Sequence, residues 1–319
     1  MTDHADIFDR TVGEYDLIVE LSYAWYYSRV HHAIAQRVIR PLRPGRVLDV
    51  ACGTGFQSYL HRAGGAEVVG VDVSENLLRA AAAKNGFAGG GNGGPLFPVH
   101  FEFVADYNRR IEAVAAASRT DSRTGTPPPP RFLRADGRRL PFSDCRFDHA
   151  NLVGGLSYMT DRRQTLSEIR RVLKPGGTLF LEVEHRWNFE ILWRTLHTVF
   201  SKGAGDAFSR ADIRRLLFSP CRRGVAATFP FNAYERIAPT PCRFFTFREM
   251  ADLLREAGFD AAGRWGVHTV TNLIPWSRLE RRYPSRRLER LFLRLAALEE
   301  RWPCFKSGIG MMVLARKRR

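Results

Sequence analysis

Asp49, Cys52, Gly53 and Gly55 fall in the run RVLDVACGTG, where an apolar strand ends in a glycine-rich turn ahead of a helix. Glycines there let backbone amides approach a ligand closely at a helix N-terminus. The spacing is not the dinucleotide fingerprint, because the third glycine would be Ser58. Nor is it a phosphate P-loop, which would end in Gly-Lys-Ser/Thr. An acidic Asp49 at the strand's tip would repel a pyrophosphate and welcome a cation. About 20 residues on, a second strand closes with Asp72, where a carboxylate can take both hydroxyls of a ribose. A nucleoside with a cationic, phosphate-free tail fits these residues better than a dinucleotide does.

The elements around the turn are those of a parallel α/β sheet. Strand Arg46–Ala51 is followed by a helix from Phe56 to about Ala63, strand Glu67–Val71, and helix Ser74–Lys84 with Ser74 and Asn76 as candidate caps. Strand Phe132–Ala135, strand Phe147–Val153, helix Asp161–Leu173, the turn Lys174–Gly177 and strand Thr178–Glu184 continue the alternation. Helix Phe247–Ala257 and strands Ala261–Val270 and Ile309–Ala315 close it. The alternation gives the α/β class with a parallel sheet.

S-adenosylmethionine is a nucleoside with the tail described above. The blocks VLDVACGTG, VVGVDVS, FLRADGRRLPF, FDHANLVGGLSYM and EIRRVLKPGGTLFLEVE resemble the class I S-adenosylmethionine-dependent methyltransferases, closest to the branch typified by ubiquinone and menaquinone methylation enzymes. The resemblance covers about residues 41–85 and 132–184, with a weaker tail at 247–270 and 309–316. It implies the Rossmann-like, seven-stranded, mostly parallel form of the α/β sheet, with an antiparallel last strand and helical, aromatic cap inserts. It implies S-adenosylmethionine as cofactor and S-adenosylhomocysteine as product. It also implies that Asp49, Gly53 and Gly55 line the methionine half, that Asp72 holds the ribose and that Val73 lies against the adenine. Asp136 and Gly137 would meet the adenine edge, and Leu152 to Gly154 would follow the sulfonium side. An aromatic from the N-terminal helices, Tyr15, Tyr23 or Tyr26, would cover the cofactor.

The chain then divides into an N-terminal helical cap, 1–40, and a methyltransferase domain, 41–319. That domain carries three inserts. Segment 86–131, Gly-rich at one end and Pro-rich at the other, joins a helix to a strand and so lies on the face opposite the ligand, as a peripheral, flexible element. Segments 186–246 and 271–306 leave the carboxyl ends of strands and rise on the ligand face. Their aromatics, among them Trp187, Phe189, Trp193 and Phe229, suggest a small, largely apolar acceptor: a quinone, isoprenoid, lipid or secondary metabolite, with an anionic group as an option. Catalytic candidates near the strand tips are His185 first, then Glu184 and Tyr158, with His31, His32 and His268 from the roof. A base is needed only where the acceptor must lose a proton.

The charge is +16 in 319 residues, with only five lysines among 49 cations, and residues 264–319 carry +10 of it. Helix 285–302 places Leu288, Leu291, Phe292, Leu295 and Leu298 on one face and arginines on the others. Two readings stay open for it, contact with an anionic membrane or lipid surface and a pocket for an anionic group on the acceptor. Nucleic-acid methylation is the alternative that the charge raises. The tip of the fourth strand counts against it, reading Asn151-Leu152-Val153-Gly154-Gly155 where base-amino methylases place Asn/Asp-Pro-Pro-aromatic. A non-catalytic cofactor-binding partner protein is the third reading. The five cysteines form no CxxC pair, so reduced thiols and no metal site are expected. No apolar run reaches about 18 residues and the first residues are acidic, so a cytoplasmic chain is expected.

Overall fold

The computed structural model describes residues 24–42, 45–84, 127–189, 191–193, 209–220, 223–229, 240–271, 286–301 and 308–319, and single positions at 9, 109, 113, 116, 117 and 196. Nine strands are described: β1 Arg46–Val50, β2 Glu67–Asp72, β3 Arg131–Arg134, β4 Phe147–Val153, β5 Leu173–Glu184, β6 Val225–Phe229, β7 Thr240–Phe244, β8 Phe259–Val267 and β9 Gly310–Lys317. Seven form one sheet in the order β3-β2-β1-β4-β5-β9-β8. The β1–β2, β1–β4, β2–β3 and β4–β5 pairs are parallel, and β9 runs antiparallel to both β5 and β8. This is the expected α/β sheet with its antiparallel last strand.

The main helices are α1 Ala24–Ile34, which runs on through a π-helical stretch Ala35–Ile39 and a last turn Arg40–Leu42, α2 Phe56–Ala63, α3 Glu75–Ala83, α4 Arg162–Val172, α5 Arg210–Phe218, α6 Phe247–Glu256 and α7 Arg286–Arg301. Ser74, Asp161 and Thr246 cap α3, α4 and α6 by accepting from Leu77, Gln164 and Glu249 amides. Of the two candidate caps of α3, Ser74 therefore takes the position.

Both faces of the central strands are covered, so β5 reads as an unbroken apolar run from Leu179 to Leu181. Leu48, Val50, Ala150, Leu152, Leu179, Leu181 and Val183 pack against Leu166 and Ile169 of α4 and Met250 and Leu254 of α6. The alternate residues Val153, Phe180 and Met312 pack against Val30 and Ile34 of α1 and Leu60 of α2. The strand order turns outward in both directions from β1 and β4, and a ligand crevice forms beyond the carboxyl ends at such a switch point.

Insert 186–246 holds more than a helical cap: α5 packs on an antiparallel ribbon of β6 and β7. Ile191, Leu216, Val225, Ala227, Cys242 and Phe244 form its separate core, with Tyr158 against it. Most of insert 86–131 and residues 272–285 lie outside the described residues. No helix among the described residues is long and apolar enough to cross a membrane.

Candidate active site

The turn after β1 bends through left-handed backbone at Ala51 (φ 53°), Gly53 (φ 53°) and Gly55 (φ 83°). Gly55 is required twice over, because a Cβ there would also stand 2.9 Å from the Phe132 ring and 3.2 Å from Ala81 Cβ. The amide of Cys52 donates to Val71 at 3.1 Å, tying the turn to β2, and Gly55 N donates back to Cys52 O at 2.9 Å. Lys84, at the end of α3, donates to Thr54 O at 3.0 Å and so braces the turn from its outer side.

Two carboxyls face this turn from inside the protein. Asp72 accepts Gly53 N at 2.9 Å on one oxygen and Ser74 N at 3.0 Å on the other. Asp49 accepts the Ser58 hydroxyl at 2.6 Å. Burial pushes the Asp49 carboxyl up to about 7, the Ser58 hydrogen bond opposing and the charge of Asp72 adding to the rise. Burial raises Asp72 as well, against its backbone hydrogen bonds. Among the described residues no cationic side chain pairs with either. A third carboxyl, Asp9, escaped the sequence reading. It accepts the Ser74 hydroxyl and, at 3.3 Å, Asn76 N, so Asp9 sits at the start of α3 close to Asp72.

An uncompensated acidic pair at a glycine turn suits a sulfonium and ammonium at one end of a ligand and a ribose diol at the other. A cationic ligand would select Asp49 as carboxylate, so its binding is expected to release a proton near neutrality. Below about pH 7, affinity is expected to fall by up to tenfold per pH unit as proton and ligand compete. Because the folded value lies above the ordinary 3.8, the ligand-free protein binds the extra proton, and this site's stability is lost as pH rises from about 4 to 7. Calorimetry in buffers of different ionisation heat measures the proton, and Asp49→Asn should abolish its release.

The neighbouring strand ends line up on the same side. Val73 is exposed beside the Asp72 carboxylate, where an adenine would lie. Asp136, after β3, is bound by its neighbour Arg138 through contacts of 2.6 to 3.1 Å, which holds its carboxyl below the ordinary range. Gly137 is buried where a Cβ would meet Thr165 and Val50 at 3.3 Å. The Leu152 side chain lies in the main core, which leaves its backbone for a ligand. Gly154 (φ 70°) donates its amide to Glu182 O at 3.2 Å. Tyr15 and Tyr23 lie outside the described residues, and so does the side chain of Tyr26.

At the tip of β5 the three catalytic candidates part company. The Tyr158 hydroxyl donates to Glu184 Oε1 at 3.3 Å, and the amide of Glu184 donates to Ser157 Oγ at 3.3 Å. Glu184 Oε2 is buried with no hydrogen-bond partner. Burial raises the Glu184 carboxyl, and Ser157, Tyr158 and Cys242 only partly offset it. His185, one residue on, follows the strand's alternation to the opposite side. Its ring packs 4.8 Å from that of Phe247, and burial holds it neutral, lowered to about 4. Next comes the fully buried Arg186, another residue that the sequence reading missed. Its guanidinium donates five hydrogen bonds of 2.7 to 3.0 Å to the carbonyls of Leu216, Ser219, Pro220 and Arg223, at the C-terminal end of α5. A cation at the negative end of a helix is favourable, and here it also satisfies the orphan carbonyls.

Comparison with known proteins agrees with this geometry. Residues 25–262 match the family described as a methyltransferase domain. A ubiquinone/menaquinone biosynthesis C-methyltransferase of Burkholderia mallei is 31% identical over 227 residues, 68% of this chain and 76% of that protein. A demethylmenaquinone methyltransferase of Clavibacter sepedonicus is 30% identical over 145 residues, 46% of this chain, which spans only 43% of that relative. Among solved structures, a chain from the complex of the Haloferax volcanii Trm112 methyltransferase activator with a putative methyltransferase shares the fold. Its TM-score is 0.52 at 19% identity, covering 98% of this chain and 97% of that one. With its seven-stranded sheet, its glycine turn and its acidic pair, this chain belongs to the class I S-adenosylmethionine-dependent methyltransferases, on their ubiquinone/menaquinone-methyltransferase-like branch.

Proposed function

We propose that the methyl group goes to a small, largely apolar acceptor of the quinone, isoprenoid or lipid kind, and that Glu184 and Tyr158 handle the proton that this acceptor must lose. The observation that carries this reading is the buried Glu184 carboxyl. One oxygen meets the Tyr158 hydroxyl and the other has no partner, at the tip of β5 beside the cap. The cofactor, when bound, supplies a methyl group activated on a sulfonium. Asp49 and Asp72 would hold its two ends, and Tyr158 would orient the carboxylate of Glu184. As the acceptor's ring carbon attacks the methyl group in line, Glu184 Oε2 takes the proton of the acceptor's hydroxyl. The methylated carbon then gives up its own hydrogen as the hydroxyl is restored, so one proton in all is left on the raised carboxyl until the product leaves. Trp187, Phe189 and Leu192, exposed on the segment that leaves β5, offer apolar surface to such an acceptor. The relatives named above support a quinol ring carbon as the site of attack.

Glu184→Gln is expected to lower kcat toward a short-chain demethylmenaquinol by about a hundredfold or more, with cofactor affinity unchanged. Activity of the native enzyme should rise with pH through the raised Glu184 value, and the variant should lose that limb. Full activity in the variant would remove Glu184 from the reaction.

A further inference from the structure

The outward face of α5 ends in an apolar tip that nothing in the cofactor site uses. Phe218 is 79% exposed and Leu217 38%, on a helix whose inward residues, Asp212 and Leu216, are buried. Arg214 and Arg215 lie one turn before Phe218 on the same face, and Arg210 begins the helix. All three are exposed, as is Arg223 just beyond. The helix's one carboxylate, Asp212, is buried and reaches Arg215 at 3.4 Å. Arg210, Arg214 and Arg223 make no ion pair among the described residues. From beneath, the five hydrogen bonds of Arg186 hold the carbonyls of residues 216, 219, 220 and 223. A large apolar side chain is thus displayed on a pinned turn, with exposed arginines along the helix before it and at Arg223 beyond it.

We propose that this tip docks the protein on an anionic lipid bilayer, with Leu217 and Phe218 entering the headgroup–acyl boundary and Arg210, Arg214, Arg215 and Arg223 meeting lipid phosphates. The composition of the patch argues for a bilayer. A lipid surface takes up an exposed Phe218 together with exposed arginines, whereas a plain polyanion offers nothing for Phe218 to enter. Arginine stems also lie along apolar surface while their heads stay at the phosphate layer. The inference makes no use of the reaction proposed above. Helix α7 gives the contrast: it exposes Leu291 and Leu298 with Arg287, Arg290 and Arg294, less prominently.

The test is co-sedimentation of the full chain with phosphatidylcholine vesicles, with and without phosphatidylserine. Binding is expected only to the anionic vesicles and should weaken with salt. Phe218→Ser should weaken it about tenfold, and Arg210→Gln with Arg214→Gln about fivefold per arginine. Melting temperature and cofactor affinity of Phe218→Ser should match the native protein, which separates docking from folding and from the cofactor site. The proposal is overturned by absence of binding to anionic vesicles or by binding that ignores Phe218. It is overturned equally if loss is confined to variants of Arg287, Arg290 and Arg294 on α7.

Discussion

Asp72→Ala is expected to abolish measurable S-adenosylmethionine binding, a loss of about a hundredfold or more, while leaving the protein folded. The carboxylate does two things at once. It accepts Gly53 N and Ser74 N, fixing the glycine turn relative to the start of α3, and it stands where a ribose diol would donate. Each charge-assisted hydrogen bond is worth about 1.5–3 kcal/mol, so losing two of them suffices for that factor. The Ser74 hydroxyl still caps α3 at Leu77 N, so the helix should survive. The substitution also removes a negative neighbour of Asp49, whose carboxyl should then titrate lower and release less of its proton at neutrality. Calorimetry with S-adenosylmethionine and with S-adenosylhomocysteine reads the loss of binding, and a pH titration of the ligand-free variant reads the change at Asp49. Unchanged affinity in a well-folded variant would reduce the glycine turn to scaffold.

Arg186→Ala should destabilise the cap by about 3–5 kcal/mol, because each buried carbonyl left without a donor costs about 1–3 kcal/mol. Four carbonyls at the end of α5 would lose their donor, and that of Leu216 is buried away from water. The seven-stranded sheet does not depend on that end of α5. The expected result is therefore a lower-melting cap and protease cleavage within 186–246, with cofactor binding retained. Lysine at this position keeps the charge but has only three donors, which are not fanned in a plane, so Arg186→Lys should recover part of the loss. A cap as resistant to protease in Arg186→Ala as in the native chain would show that its core alone holds it.

Much of this site follows from local rules. Strand-to-helix alternation, the apolar runs, the glycines after β1 and an acid at the end of β2 depend on residues within a few positions of one another. The boundaries of α2 and β4 accordingly match the reading from residues alone. The cap ribbon of β6 and β7 was hidden because its pairing, Val225 with Phe244 through Phe229 with Thr240, joins segments separated by a long connection. Asp9 was invisible for the same reason, since its partners Ser74 and Asn76 lie 65 and 67 residues away.

His185 and Glu184 mark the boundary between the two kinds of knowledge. By itself the sequence determined that a histidine and a carboxylate end the strand beside the cofactor. Which of them meets Tyr158 was decided by the tertiary structure. Alternation fixes that neighbours point to opposite sides, but in a strand buried on both faces the apolar pattern does not say which side is which. Packing of Leu179, Leu181 and Val183 against α4 and α6 sends His185 to Phe247 and leaves Glu184 with Tyr158. Arg186 shows the same division: its type is common in this chain, and only the approach of α5's C-terminal carbonyls gives it a task. Local periodicity writes the elements, whereas the partner of a buried polar group is chosen by chain segments that meet only when the core closes.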